Sequence, residues 1–153
     1  MPRPRKRIRP RIGDGNEITP RSLDALDPPR WGPVPHGATG MVRRCYALRS
    51  KPIDEFNAED LRLMIGQKIA LRHLIPLALG QLAHDPLAEG NLFPGDLLPS
   101  VIRIERSFWT VNPGLAQQLH DALDRLPTAA EVAETADQQL ADEIATFRSS
   151  TRL

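Results

Sequence analysis

Four histidines, one cysteine and nineteen carboxylates are the groups of this 153-residue chain whose chemistry could extend beyond packing. A zinc site needs three or four ligands converging on one point, and the spacings that achieve this, HExxH or paired Cys/His, are absent. His36, His73, His84 and His120 are scattered instead. His84-Asp85 has the look of a catalytic dyad, but a histidine in the last turn of a helix also complements the helix C-terminus, and that reading is preferred. Cys45 falls on the apolar side of its segment, which points to a core thiol rather than a nucleophile. No glycine-rich turn joins a strand to a helix, so no dinucleotide or nucleotide phosphate is expected. The carboxylate pairs Glu59/Asp60 and Asp142/Glu143 are adjacent on helical segments and are expected to face solvent, not to share a cleft. No catalytic, cofactor-binding or metal-binding residue is assigned, and the chain is not expected to be an enzyme.

The elements that would position any site are helical. Residues 61–98, LRLMIGQKIALRHLIPLALGQLAHDPLAEGNLFPGDLL, combine apolar helix faces with two proline-marked turns. Residues 22–27 can form one helical turn before Pro28-Pro29. Thr39 can cap a helix over 40–49 that ends at Lys51-Pro52, because the residue before proline avoids the helical region. Asn57-Ala-Glu-Asp60 reads as a capping-box variant opening a second helix.

A third helix, over roughly 72–84, is apolar on several sides and predicts the centre of the fold. Its Pro76 is compatible with a first-turn position and would otherwise kink the helix. Asp96 opens a fourth helix through 103, Asn112-Pro113 a fifth, and the capping box Thr128–Glu131 a last one, striped by Val132, Ala136, Leu140, Ile144 and Phe147. No stretch alternates with period two. The predicted class is all-α, a compact bundle of about six helices around a central apolar helix, in one domain over 21–147 with a C-terminal tail at 148–153.

The net charge of +1 conceals an uneven distribution. Residues 1–12 carry six basic side chains and no acid, which leaves 14 basic against 19 acidic in the rest. Residues 1–20, rich in Arg and Pro, have the composition of a disordered tail. It reads as a solubilising segment, with weak nucleic-acid binding through residues 1–12 as the alternative role. Between 85 and 147 eleven acids face only Arg103, Arg106 and Arg125, and an acidic body attracts a basic partner. A helix-turn-helix over 57–84 is disfavoured, because its second helix is too apolar for a DNA groove and the basic residues Arg43, Arg44, Arg49, Lys51, Arg62, Lys68 and Arg72 are offset by nearby acids. Trp31 is expected to anchor the Pro/Gly-rich strap 30–37, with an exposed recognition tryptophan as the alternative. A lone cysteine, no apolar leader and no membrane-length apolar run lead to the expectation of a cytoplasmic protein without membrane partners.

The strings LDPPRWG (26–32), VRRCYALR (42–49), Lys51-Pro52, EDLRLMIGQ (59–67), LIPLAL (74–79), DPLAEG (85–90), PGDLL (94–98) and Phe108-Trp109, in that order and spacing, resemble the helical immunity proteins of bacterial contact-dependent growth inhibition systems. The resemblance spans about two-thirds of the chain, 23–126. It implies a non-enzymatic protein that binds and neutralises the toxic C-terminal domain of a cognate exported effector, often a nuclease. No binding motif transfers with the resemblance. Physical reasoning places the contact at the acids after the central helix: Asp85, Glu89, Asp96 and then Glu105, facing the basic mouth of a nuclease. Trp109 is an alternative aromatic anchor there, though core packing is favoured.

Overall fold

In the computed structural model, residues 20–92, 95–126 and 138–150 are described. Among them are eight α-helices and one 3-10 turn, with no strands beyond a single antiparallel bridge between Ser22 and Pro52. The helices are α1 (Leu23–Leu26), α2 (Gly40–Arg49), α3 (Ala58–Gly66), α4 (Leu71–His84), α5 (Leu97–Ile102), α6 (Arg106–Val111), α7 (Pro113–Leu123) and α8 (Gln138–Ser150). The 3-10 turn, Ile53–Glu55, lies between α2 and α3. The all-α class therefore holds, with more and shorter helices than the six expected.

Several helix starts follow from local side chains. Ser22 Oγ accepts from the Ala25 N–H and Thr39 Oγ1 from the Val42 N–H. Asn57 and Asp60 close a reciprocal capping box. The α4 helix is the hub: Leu74, Ile75, Ala78, Leu79 and Leu82 are all buried, and it packs against α3, α5 and α7. Leu61, Met64 and Ile65 of α3 and Leu97, Leu98 and Val101 of α5 complete the adjoining core. Leu140, Ile144 and Phe147 of α8 are buried as their spacing predicts, and α8 rests on α5. That helix runs to Ser150, past the expected boundary at 147. The capping box at Thr128–Glu131, the stripe positions Val132 and Ala136, and the tail before Pro20 lie outside the described residues.

Pro76 departs from expectation. It is the sixth residue of α4, beyond the first turn, so Arg72 C=O loses its usual i+4 donor. Both residues are exposed, which leaves that carbonyl open to water. Asn112 also differs. It precedes Pro113 as expected, but its side-chain amide donates to Phe108 C=O and closes α6 instead of capping α7.

The α3–α4 turn places two non-glycine residues in the left-handed region, Lys68 (φ 57°) and Ala70 (φ 49°). The Lys68 N–H donates to Ile65 C=O and the Ile69 N–H to Met64 C=O, the paired bonds of a Schellman cap. Glycine is the residue such a position favours, because a Cβ there crowds the carbonyl. Lys68 is exposed and gives up only a surface ion pair to Glu105. Lys68→Gly is expected to raise stability by about 0.5–1 kcal/mol in urea denaturation; a fall would contradict the strain assigned to this turn.

Candidate partner-binding surface

The loop between α4 and α5 carries three of the four acids singled out from sequence, and a buried charge cluster holds it in shape. Asp85 stops α4, and its Oδ1 accepts from the Leu87 N–H at 3.0 Å, folding the chain back at Pro86. The loop then passes over the N-terminal half of α3. There Glu59 Oε2 accepts from the Asn91 N–H at 2.8 Å, and Asp96 accepts from the backbone N–H groups of Gly90 and Leu92. Arg62, one turn along α3, grips Glu59 through Nε at 2.7 Å and through Nη2, while its Nε lies 3.8 Å from Asp96. Arg44 of α2 reaches Glu59 at 3.4 Å.

Gly90 lets the loop approach this cluster closely. A Cβ at that position would come within 2.5 Å of Glu59 Oε2 and about 3 Å of both Asp96 oxygens. Glu59 is only 6 % exposed. The two-point contact with Arg62 holds its carboxyl pKa near 2 against the opposing effect of burial, with the Asn91 N–H and Arg44 adding to the shift.

Glu59 and Asp60 therefore do not face solvent as expected. Both are buried: Glu59 organises the loop, and Asp60 caps α3 and pairs with Lys51 at 2.7 Å. Asp96 is also buried, its side chain fully covered, and it turns back to the loop rather than capping α5. Asp85 and Glu89 are exposed on the same loop. Glu105 is exposed but lies at the other end of the molecule, paired with Lys68 just before α4 begins. Fourteen helical residues separate that end from Asp85, a distance of about 20 Å. The four acids thus do not form one patch: Asp85 and Glu89 are presented together, Asp96 shapes the loop beneath them, and Glu105 stands apart.

A second buried charge is one of the basic residues whose nearby acids, in sequence, point to a solvated face of mixed charge. Arg49 is only 1 % exposed. Its guanidinium donates to Asp24 Oδ1 at 3.2 Å, to Asp27 Oδ2 at 3.0 Å, to Asp27 C=O at 2.7 Å and to Pro29 C=O at 3.2 Å. It also lies 4.8 Å from the Trp31 ring centroid, and Trp31 meets Tyr46 edge-on. Trp31 is thus the expected anchor, although it keeps about a third of its surface exposed. This contact fixes the Pro-rich strap to α2.

The lone thiol and the second tryptophan are both buried. Burial pushes the Cys45 thiol pKa up, away from an activated thiolate. Trp109 is in the core, edge-on to Phe108 and Phe147. Among the described residues no cluster of His, Cys, Asp or Glu is arranged to hold a metal ion. No helix among them is long and apolar enough to cross a membrane.

Buried ion pairs that shape surface loops characterise this helical scaffold. A family model described as CDI immunity proteins matches residues 25–119, more than half of the chain, and the chain belongs to that family. The match runs from α1 into α7, so it contains the whole Glu59 cluster and all of the Arg49 cluster except Asp24, and it leaves α8 outside. No curated protein and no solved structure matches the chain.

Proposed function

We propose that this protein is a stoichiometric inhibitor that binds and neutralises the toxin domain of its own contact-dependent growth inhibition system, without catalysis, in the cytoplasm of the cell that makes it. Family membership carries this reading. The toxin is proposed to be a nuclease, whose phosphate-binding mouth must be basic and therefore complements an acidic inhibitor. Asp85 and Glu89, exposed on a loop braced from below by Glu59 and Asp96, are the proposed docking acids. Glu105 is a peripheral contributor and Asp96 acts through the loop.

The test is co-expression with the toxin domain encoded immediately upstream, followed by binding kinetics. Growth rescue and a tight complex are expected. Changing Asp85 and Glu89 together to lysine should slow association about tenfold or more at low salt, an effect that shrinks as salt is added. No rescue and no complex would refute the function. A complex whose association rate ignores the double substitution would refute the placement of the surface.

A further inference from the structure

Beside the acidic loop the surface opens into a groove of about 450 Å³ that crosses α4 near its C-terminal end. Its apolar lining includes Phe56, Leu77 and Ala88. Asp54 from the 3-10 turn and Asp85 from the end of α4 border it, and Gly80 leaves the helix surface bare between them. A Cβ on Gly80 would meet no atom within 4 Å. Gln81 and His84 complete its polar lining.

We infer that this groove is the socket for a single lysine or arginine side chain of the toxin domain, an inference that rests on the proposed inhibitory function. The combination of walls selects such an occupant. A long basic side chain buries its methylene stem against apolar surface and keeps its charged head among polar groups. Here Phe56 and Leu77 would take the stem and Asp85 the head. A purely apolar anchor would fill the same floor while stripping water from Asp85 without replacing it, which is costly. An acidic anchor would meet like charge on the rim.

Of the two bordering carboxylates, Asp54 is already paired and Asp85 is the one open to an incoming cation. Asp54 holds the guanidinium of Arg21 in a two-point pair, with Nη2 to Oδ1 at 2.9 Å. Asp85 uses Oδ1 for the Leu87 N–H, and its Oδ2 makes no hydrogen bond or ion pair among the described residues. Arginine is among the residues that dominate binding energy when seated in a pocket ringed by other contacts. The acids of the loop would thus steer the toxin, and the groove would hold it.

Gly80 supplies the test. Gly80→Arg places a cation of the chain's own in the groove, in open space and with better helix propensity than glycine. Its thermal midpoint is expected to match or exceed that of the unmodified protein. Affinity of the full chain for the upstream-encoded toxin domain, measured by calorimetry, should fall at least about 30-fold. Gly80→Ala, which leaves the groove open, should bind as the unmodified protein does.

If the unmodified protein binds and Gly80→Arg binds equally well, the socket is refuted and the inhibitory function stands. If the unmodified protein does not bind, both fall together. Deleting residues 1–12 distinguishes the chain's own basic tail as occupant: tighter binding after deletion, seen with Gly80 but not with Arg at that position, would overturn a toxin-derived occupant. A self-association by sedimentation that Gly80→Arg abolishes would do the same in favour of a second copy.

Discussion

Arg49→Met is expected to lower unfolding stability by about 3–5 kcal/mol, the cost of removing one partner from a buried ion pair and leaving the other behind. Four hydrogen bonds converge on this guanidinium, and two of them satisfy the carbonyls of Asp27 and Pro29. Asp24 is 11 % exposed in its side chain, so methionine leaves a largely buried carboxylate without its cation. Methionine can refill the volume and touch Trp31, but it supplies no donor. Arg49→Lys should be intermediate, since one ammonium cannot reproduce a planar fork spread over several acceptors. Because the lost contacts lie along 24–31, the strap should loosen before the core does. Acrylamide quenching should then rise for Trp31 while Trp109, 2 % exposed, stays protected. Equilibrium urea unfolding measures the main effect, and a loss below about 1 kcal/mol would mean that Arg49 behaves as a solvated surface charge.

Arg49 also shows where sequence reading stops. Helix starts at Ser22, Thr39 and Asn57 are legible because each cap side chain bonds an N–H only three residues on, and the α4 hub is legible because its apolar faces repeat at helical spacing. A charged residue carries no such local signature. Arg49 finds its acceptors 20 to 25 residues upstream, and Glu59 finds the Asn91 N–H 32 residues downstream. Nothing in RRCYALR or NAEDLR distinguishes a buried arginine or glutamate from its exposed neighbours, and local charge balance favours the solvated reading. The same limit separates Asp85 from Asp96. The first is set by its own turn, through Leu87, while the second is buried by a loop that must close first. Gly90 packs closely against Glu59 and Asp96, but a glycine beside Glu89 and Asn91 carries no local sign of those distant neighbours. The α6 helix escaped notice for a different reason: six residues with no side-chain N-cap bond give neither a periodicity nor a start signal.

Acid should release the loop through Glu59. Its carboxyl is held at about 2 in the folded protein, against an ordinary value of 4.5, chiefly by the Arg62 hydrogen bonds and despite burial. A carboxyl whose folded pKa is depressed contributes stability that is fully present above 4.5 and is lost as pH falls from there toward 2. The difference corresponds to an order of 3 kcal/mol. Stability measured from pH 7 down to pH 2 should therefore decline steeply below about pH 4.5, and the hydrogen-exchange protection of Gly90, Asn91 and Leu92, relative to the intrinsic rate at each pH, should fall in the same interval. Glu59→Gln removes the titration and should flatten that part of the profile, while lowering stability at pH 7 because a neutral amide cannot match the charge of Arg62. Identical acid profiles for the two proteins would assign the loss to other carboxylates. If Asp85 and Glu89 dock the toxin, Glu59→Gln should also weaken the complex at pH 7 without touching a contact residue, because the loop that presents them loses its brace.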